Sequence, residues 1–151
     1  MACDDPVRIV DPGGDPGIID ATPIVVDPER CILFDLDSEP AAIEHIGLSG
    51  DFLTVTVHYS GGCADHSFTL HTGRCFLESW PLQSEIFLIH EDPGDPCDSV
   101  VTEERVFDLT PLKEVYWEGH AGRDGTLLLR VHEPGNQEPY EPKPRYEVEA
   151  R

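Results

Sequence analysis

Phe52-Leu53-Thr54-Val55-Thr56-Val57-His58-Tyr59 is the stretch whose reading decides the fold. Leu53, Val55, Val57 and Tyr59 fall on one side of an extended chain, and Thr54, Thr56 and His58 on the other. That period of two marks a strand with one face on a core and one toward water. Ser60-Gly61-Gly62 supplies the backbone freedom for a reversal. The alternation then resumes over residues 66–72, with Phe68 and Leu70 inward. Upstream, Ser49-Gly50-Asp51 is a tight connection to a strand over 43–48. Asp37-Ser38-Glu39-Pro40 is a turn, and residues 31–36 read as a further strand.

Downstream, Thr72-Gly73-Arg74 turns and residues 75–80 lead into Pro81. Ile86-Phe87-Leu88-Ile89 is apolar on both faces, as a central strand covered on both sides would be. Beyond the Asp92-Pro93-Gly94-Asp95-Pro96 turn, 99–109 reads as a strand. Thr110-Pro111 opens a short helical turn near 110–116, with Thr110 as cap and Pro111 at the first helical position. Residues 119–125 are loop, and 126–132 are a strand with Leu127, Leu129 and Val131 inward. Seven to nine short strands separated by turn signals predict an all-β fold, an antiparallel two-sheet β-sandwich of immunoglobulin-like kind.

The flanks differ in character. Residues 1–30 repeat Asp-Pro and carry Gly13, Gly14 and Gly17, which reads as an extended acidic tether whose short apolar runs dock at most as an edge strand. The sandwich is expected over 31–133. Residues 134–151 form a Pro/Glu-rich tail, expected to be mobile, with Tyr146 to Glu149 able to add an edge strand.

With 151 residues, 10 Lys and Arg against 30 Asp and Glu, and a formal charge of -20, the chain repels polyanions, so nucleic acid is excluded as a partner. Two environments explain the carboxylates: high salt, where they hydrate a halophilic surface, or an ordinary acidic secreted protein. No run of 18 apolar residues is present, so no α-helical membrane span is expected. Ala2-Cys3 looks like the junction of a bacterial lipoprotein, where Cys3 would become the lipidated first residue, and the tether that follows favours this over an ordinary cytosolic start.

Val55, Val57, Tyr59-Ser60-Gly61-Gly62, His66, Phe68, Leu70, Leu88, His90, Asp95 and Phe107-Asp108-Leu109-Thr110 together resemble the β-sandwich domain of the NigD-like lipoproteins over residues 50–112. The resemblance implies an exported, lipid-anchored all-β domain without assigned catalysis. It carries nothing over to Cys63 or Cys97.

Strand parity sorts the five cysteines. If 52–59 runs upward, Cys63 is at the top, and Cys31 and Cys75 are at the bottom. If Pro81 is a bend rather than a reversal, Cys97 returns to the top. Disulfides Cys63 to Cys97 and Cys31 to Cys75 follow, leaving Cys3 for lipid. The competing reading makes Cys63, His66, His90 and Cys97 a zinc or copper site, because thiolate and imidazole suit those ions. Free buried thiols are a third.

Asp92, Asp95 and Asp98 make a calcium loop conceivable, although a solvated acidic turn fits their spacing better. Trp80, Tyr116 and Trp117 offer an aromatic contact for a sugar or protein, against the commoner role of core packing. Hydrolase signatures are missing, so a hydrolase would need unrecognised carboxylates. The expectation is a monomeric, non-catalytic, cofactor-free module of the cell envelope, binding a protein or glycan partner and touching the membrane only through its N-terminal lipid. Zinc or copper binding is the first alternative and hydrolysis the second.

Overall fold

A computed structural model describes residues 20–34 and 36–151. Two sheets face each other. One has the order β1 (Thr22–Pro23), β7 (Ser99–Asp108), β4 (Phe52–Gly61), β3 (Ala42–Ser49), and the other β2 (Val25–Val26), β5 (Ser67–Thr72), β6 (Leu82–Glu91), β8 (Gly125–His132), β9 (Arg145–Val148). The expected two-sheet sandwich is present. Its sheets are mixed rather than purely antiparallel, because β1 to β7, β2 to β5 and β6 to β8 pair in parallel. The β6 to β8 pairing follows from chain path: between them the chain crosses to the other sheet as β7 and returns through helix α1 (Thr110–Gly119).

The alternation of β4 is realised as read. Leu53, Val55 and Val57 are fully buried, and Tyr59 nearly so. They meet Phe68 and Leu70 of β5, Ile86 and Leu88 of β6, and Leu127, Leu129 and Val131 of β8 in one core. β6 is central, between β5 and β8, as its two-sided apolar character predicts.

Four expectations change. Residues 31–34 and 36 form no strand: the Arg30 and Cys31 carbonyls accept only from the Arg74 and Cys75 amides, and the apolar side chains that follow line an outer groove instead. Pro81 does lie at a reversal, since Leu77 bridges Gln83 in antiparallel sense, but the reversed stretch is a single bridge long and β6 still ascends. The helix runs three residues beyond 116. Thr110 is not its cap, because its hydroxyl donates to Asp108 Oδ1 at 2.7 Å.

The sandwich also exceeds 31–133 at both ends. Ile24 is 2% exposed, and Tyr146 and Val148 of β9 join the core, so the tail is anchored by the very residues that alternate in Arg145-Tyr146-Glu147-Val148. At the free edge of the four-stranded sheet, β3 carries a register break between Ile43 and His45. Its Ile43 amide donates to Glu133 Oε2 at 2.9 Å. No helix among the described residues is long and apolar enough to cross a membrane.

Candidate functional site

Both expected disulfides are present, at opposite ends of the sandwich. Cys31 and Cys75 have Cα atoms 4.7 Å apart, and Cys63 and Cys97 have theirs 5.7 Å apart. Cys3, assigned to lipid from the sequence, lies outside the described residues. With Cys63 bonded to Cys97, neither sulfur is a thiolate, so the four-ligand zinc or copper set is not assembled.

His66 and His90, from that same set, are brought together. Both are 3% exposed, and His66 Nδ1 lies 2.7 Å from His90 Nε2. The outer nitrogens continue the line: His66 Nε2 lies 2.9 Å from Asp95 Oδ2, and His90 Nδ1 lies 2.8 Å from the Pro40 carbonyl. Strand β6 supplies His90, the residue before β5 supplies His66, and the disulfide-closed turn supplies Asp95. The relay therefore ties four segments at the upper end.

Asp95 is saturated. Its Oδ2 accepts from the Cys63 and Ala64 amides as well as from His66, and its Oδ1 accepts from the Cys97 amide. The His66 bond first, and then the Cys97, Cys63 and Ala64 amides, hold its carboxyl far below the usual range against the opposing effect of burial. Asp92 Oδ1 accepts from the Gly94 and Asp95 amides. These two carboxylates close their own turn, so the calcium loop gives way to a self-satisfied acidic turn. Gly61 makes room for the relay: a Cβ there would lie 2.7 Å from His66 Nε2 and 2.8 Å from Asp95 Oδ2.

Aromatic rings enclose the relay. Phe68 stacks on His90 with centroids 4.5 Å apart and planes 4° apart, and Tyr59 sits 4.5 Å from His66. The Tyr59 hydroxyl donates to Glu103 Oε2 at 2.7 Å, and burial with that acceptor pushes the phenol well above its ordinary pKa. Arg105 pairs with Glu103, lies over Phe68 and donates from Nη2 to the His66 carbonyl at 3.2 Å. Sequence reasoning missed Tyr59, Glu103 and Arg105 as members of this site, since strand periodicity alone assigns them to core or surface.

A second feature is a groove of about 510 Å³ on the outer face of the five-stranded sheet. Phe34, Leu36, Phe87, Ile89 and His132 line it, and Phe34 is 62% exposed. At one end His132 stacks on Phe87 and lies 2.6 Å from Glu85 Oε1, which also pairs with Arg130 at 3.1 Å. The expected aromatic trio does not form one platform. Tyr116 is core, Trp117 packs against it and donates to the Glu149 carbonyl at 2.8 Å, and Trp80 stands 96% exposed.

No family model and no curated protein matches the chain. A solved structure described as a "Putative TOXIN related protein" from Parabacteroides distasonis is similar at 15% identity and a TM-score of 0.46, over 82% of this chain and 61% of that one. The chain thus spans under two thirds of that protein's length. Of what the NigD-like resemblance implies, the β-sandwich is present. The two disulfides are compatible with a location outside the cytoplasm.

Proposed function

We propose that the chain is a non-catalytic binding module of the cell envelope, tethered by lipid on Cys3, which takes a protein or glycan partner into the groove around Phe34. The observation that carries this reading is the groove itself: an aromatic and aliphatic channel with an exposed phenylalanine on a scaffold locked by disulfides at both ends. Glu85, the carboxylate at its end, is held by His132 and Arg130, which suits orienting a ligand better than attacking one.

Two measurements test it. Mass spectrometry of the protein from membranes of its native host is expected to find acylated Cys3, and an unmodified Cys3 there refutes the tether. Arrays of glycans and of envelope proteins are expected to yield a ligand whose binding falls at least tenfold in Phe34→Ala with unchanged thermal stability. A ligand that binds Phe34→Ala as well as the parent places the site elsewhere.

A further inference from the structure

We infer that His66 and His90 hold a single positive charge between them, one imidazolium shared across their 2.7 Å contact, and that this charge latches the 37–40 segment and the 92–97 turn onto the sandwich.

The inference is a count of protons. The Pro40 carbonyl only accepts, so the 2.8 Å contact requires a proton on His90 Nδ1. Asp95 Oδ2 already accepts from two backbone amides and is a carboxylate, so the 2.9 Å contact requires a proton on His66 Nε2. The ring-to-ring contact at 2.7 Å requires one proton more, on either His66 Nδ1 or His90 Nε2. Three protons on two imidazoles make one cation. Two neutral rings would set a pair of nitrogen lone pairs against each other at hydrogen-bonding distance, or give up the Asp95 or Pro40 bond.

The surroundings suit that cation. Asp95 is its counter-ion, and Asp92 Oδ1 lies 4.0 Å from His66 Nε2. The face of Phe68 lies against the His90 ring and Tyr59 meets both imidazoles at a tilt, a favourable setting for an enclosed cation. Arg105 opposes it, but pairs with Glu103 and presents its charge to the His66 carbonyl. Asp37, Glu39, Asp65 and Glu91 line the adjoining mouth together with His90. Of these charged neighbours, all but Arg105 are acidic.

The latch is mechanical because each end of the relay grips a different segment. His90 holds 37–40 twice, through its ring to Pro40 and through its backbone carbonyl, which accepts from the Glu39 amide at 2.9 Å. His66 holds Asp95, which holds the Cys63 and Ala64 amides. Removal of the third proton breaks one link of this line and loosens the mouth.

Side-chain ¹⁵N–¹H correlation on the intact, disulfide-bonded protein tests both parts. At neutral pH the expected result is three ring N–H protons for His66 and His90, one of them coupled to both His66 Nδ1 and His90 Nε2. Two protons in total overturn the shared charge. Raising the pH until the third proton leaves is expected to increase hydrogen exchange at the Glu39, Cys63 or Ala64 amides, normalised to their intrinsic rates, by about tenfold or more, the loss of one charge-assisted bond. Unchanged normalised exchange through that step overturns the latch.

Discussion

Tyr146 donates its hydroxyl proton to Asp51 Oδ1 at 2.7 Å, joining the last strand to the turn that opens β4, 95 residues earlier in sequence. The same carboxylate takes Lys113 Nζ on its other oxygen at 2.9 Å. Asp51 therefore gathers β9, α1 and the β3 to β4 turn into one polar knot. Although burial pushes its carboxyl up, the Lys113 and Tyr146 bonds outweigh that and hold it below its usual range. Burial and the Asp51 carboxylate together push the Tyr146 phenol far above its own.

Removing the hydroxyl and removing the ring are expected to separate cleanly. Tyr146→Phe keeps the fully buried ring and loses one bond to a charged acceptor, at a cost of about 1.5–3 kcal/mol. Tyr146→Ala adds a core cavity, raising the cost to about 3–5 kcal/mol. Urea unfolding of both variants measures the difference. Equal losses would mean that the ring contributes nothing, contrary to its burial.

Acid is expected to weaken the upper end of the sandwich through Asp95. A carboxyl whose folded pKa is depressed binds fewer protons in the folded state than in the unfolded one. Its stabilisation is complete above the unfolded value and is lost as pH falls through the folded one. Asp95→Asn is therefore expected to lower the melting temperature at neutral pH and to flatten its decline between about pH 5 and 2. Thermal melts across that range give the answer, and a parallel downward displacement of the whole curve would assign the acid response to other carboxylates.

The cross-links predict a thiol count. Four of the five cysteines are paired, so the denatured, unreduced chain is expected to show one reactive thiol when Cys3 is unmodified, and five after reduction. The loops closed span 44 and 34 residues of sequence, and each bridge contributes about 4 kcal/mol by restricting the unfolded chain. Cys31→Ser/Cys75→Ser and Cys63→Ser/Cys97→Ser should each lose about that much in denaturant titration.

The lower bridge also fixes a neighbour. At Gly73 an added Cβ would strike the Cys31 carbonyl oxygen, which accepts from the Cys75 amide and cannot retreat. Gly73→Ala is expected to cost about 1–3 kcal/mol through overpacking. The loss should shrink when Cys31 and Cys75 are both replaced by Ser, because the obstructing backbone is then freer to shift. A double-mutant cycle measures that coupling.

Much of the sandwich is legible in its side chains, because 52–59 alternates cleanly and each strand beside it has a matching inward set. Strand parity places Cys63, Cys75 and Cys97 because ascending and descending runs alternate regardless of which sheet each joins; Cys31 reaches the lower end without a strand, held there by the Cys75 amide on its carbonyl. The strand expected at 31–36 was misread because Leu33, Phe34 and Leu36 look the same whether they pair in a sheet or lie across one. The edge strand read at 146–149 is present as β9, but the proline-rich approach to it hides that Tyr146 and Val148 anchor the tail in the core. Asp95 could be noticed as an acid in a turn, but its bond to His66 depends on β5 and β6 ending side by side, which no local spacing records. Arg105 and Glu103 are opaque for the same reason: Glu103 meets Tyr59 across from β4, and Arg105 reaches His66 and Phe68 at the other sheet.

The outermost strand of the smaller sheet ends in a safeguard. An unpaired strand rim is a template onto which another molecule can add its own backbone, and acidic charge alone does not remove the exposed donors. At β3 the register break between Ile43 and His45 interrupts the template, and the Glu133 carboxylate occupies the Ile43 amide. Through that contact a residue just past the end of β8 closes one of the rim's open donors from the opposite layer, so the guard on this strand comes from a side chain of the other sheet.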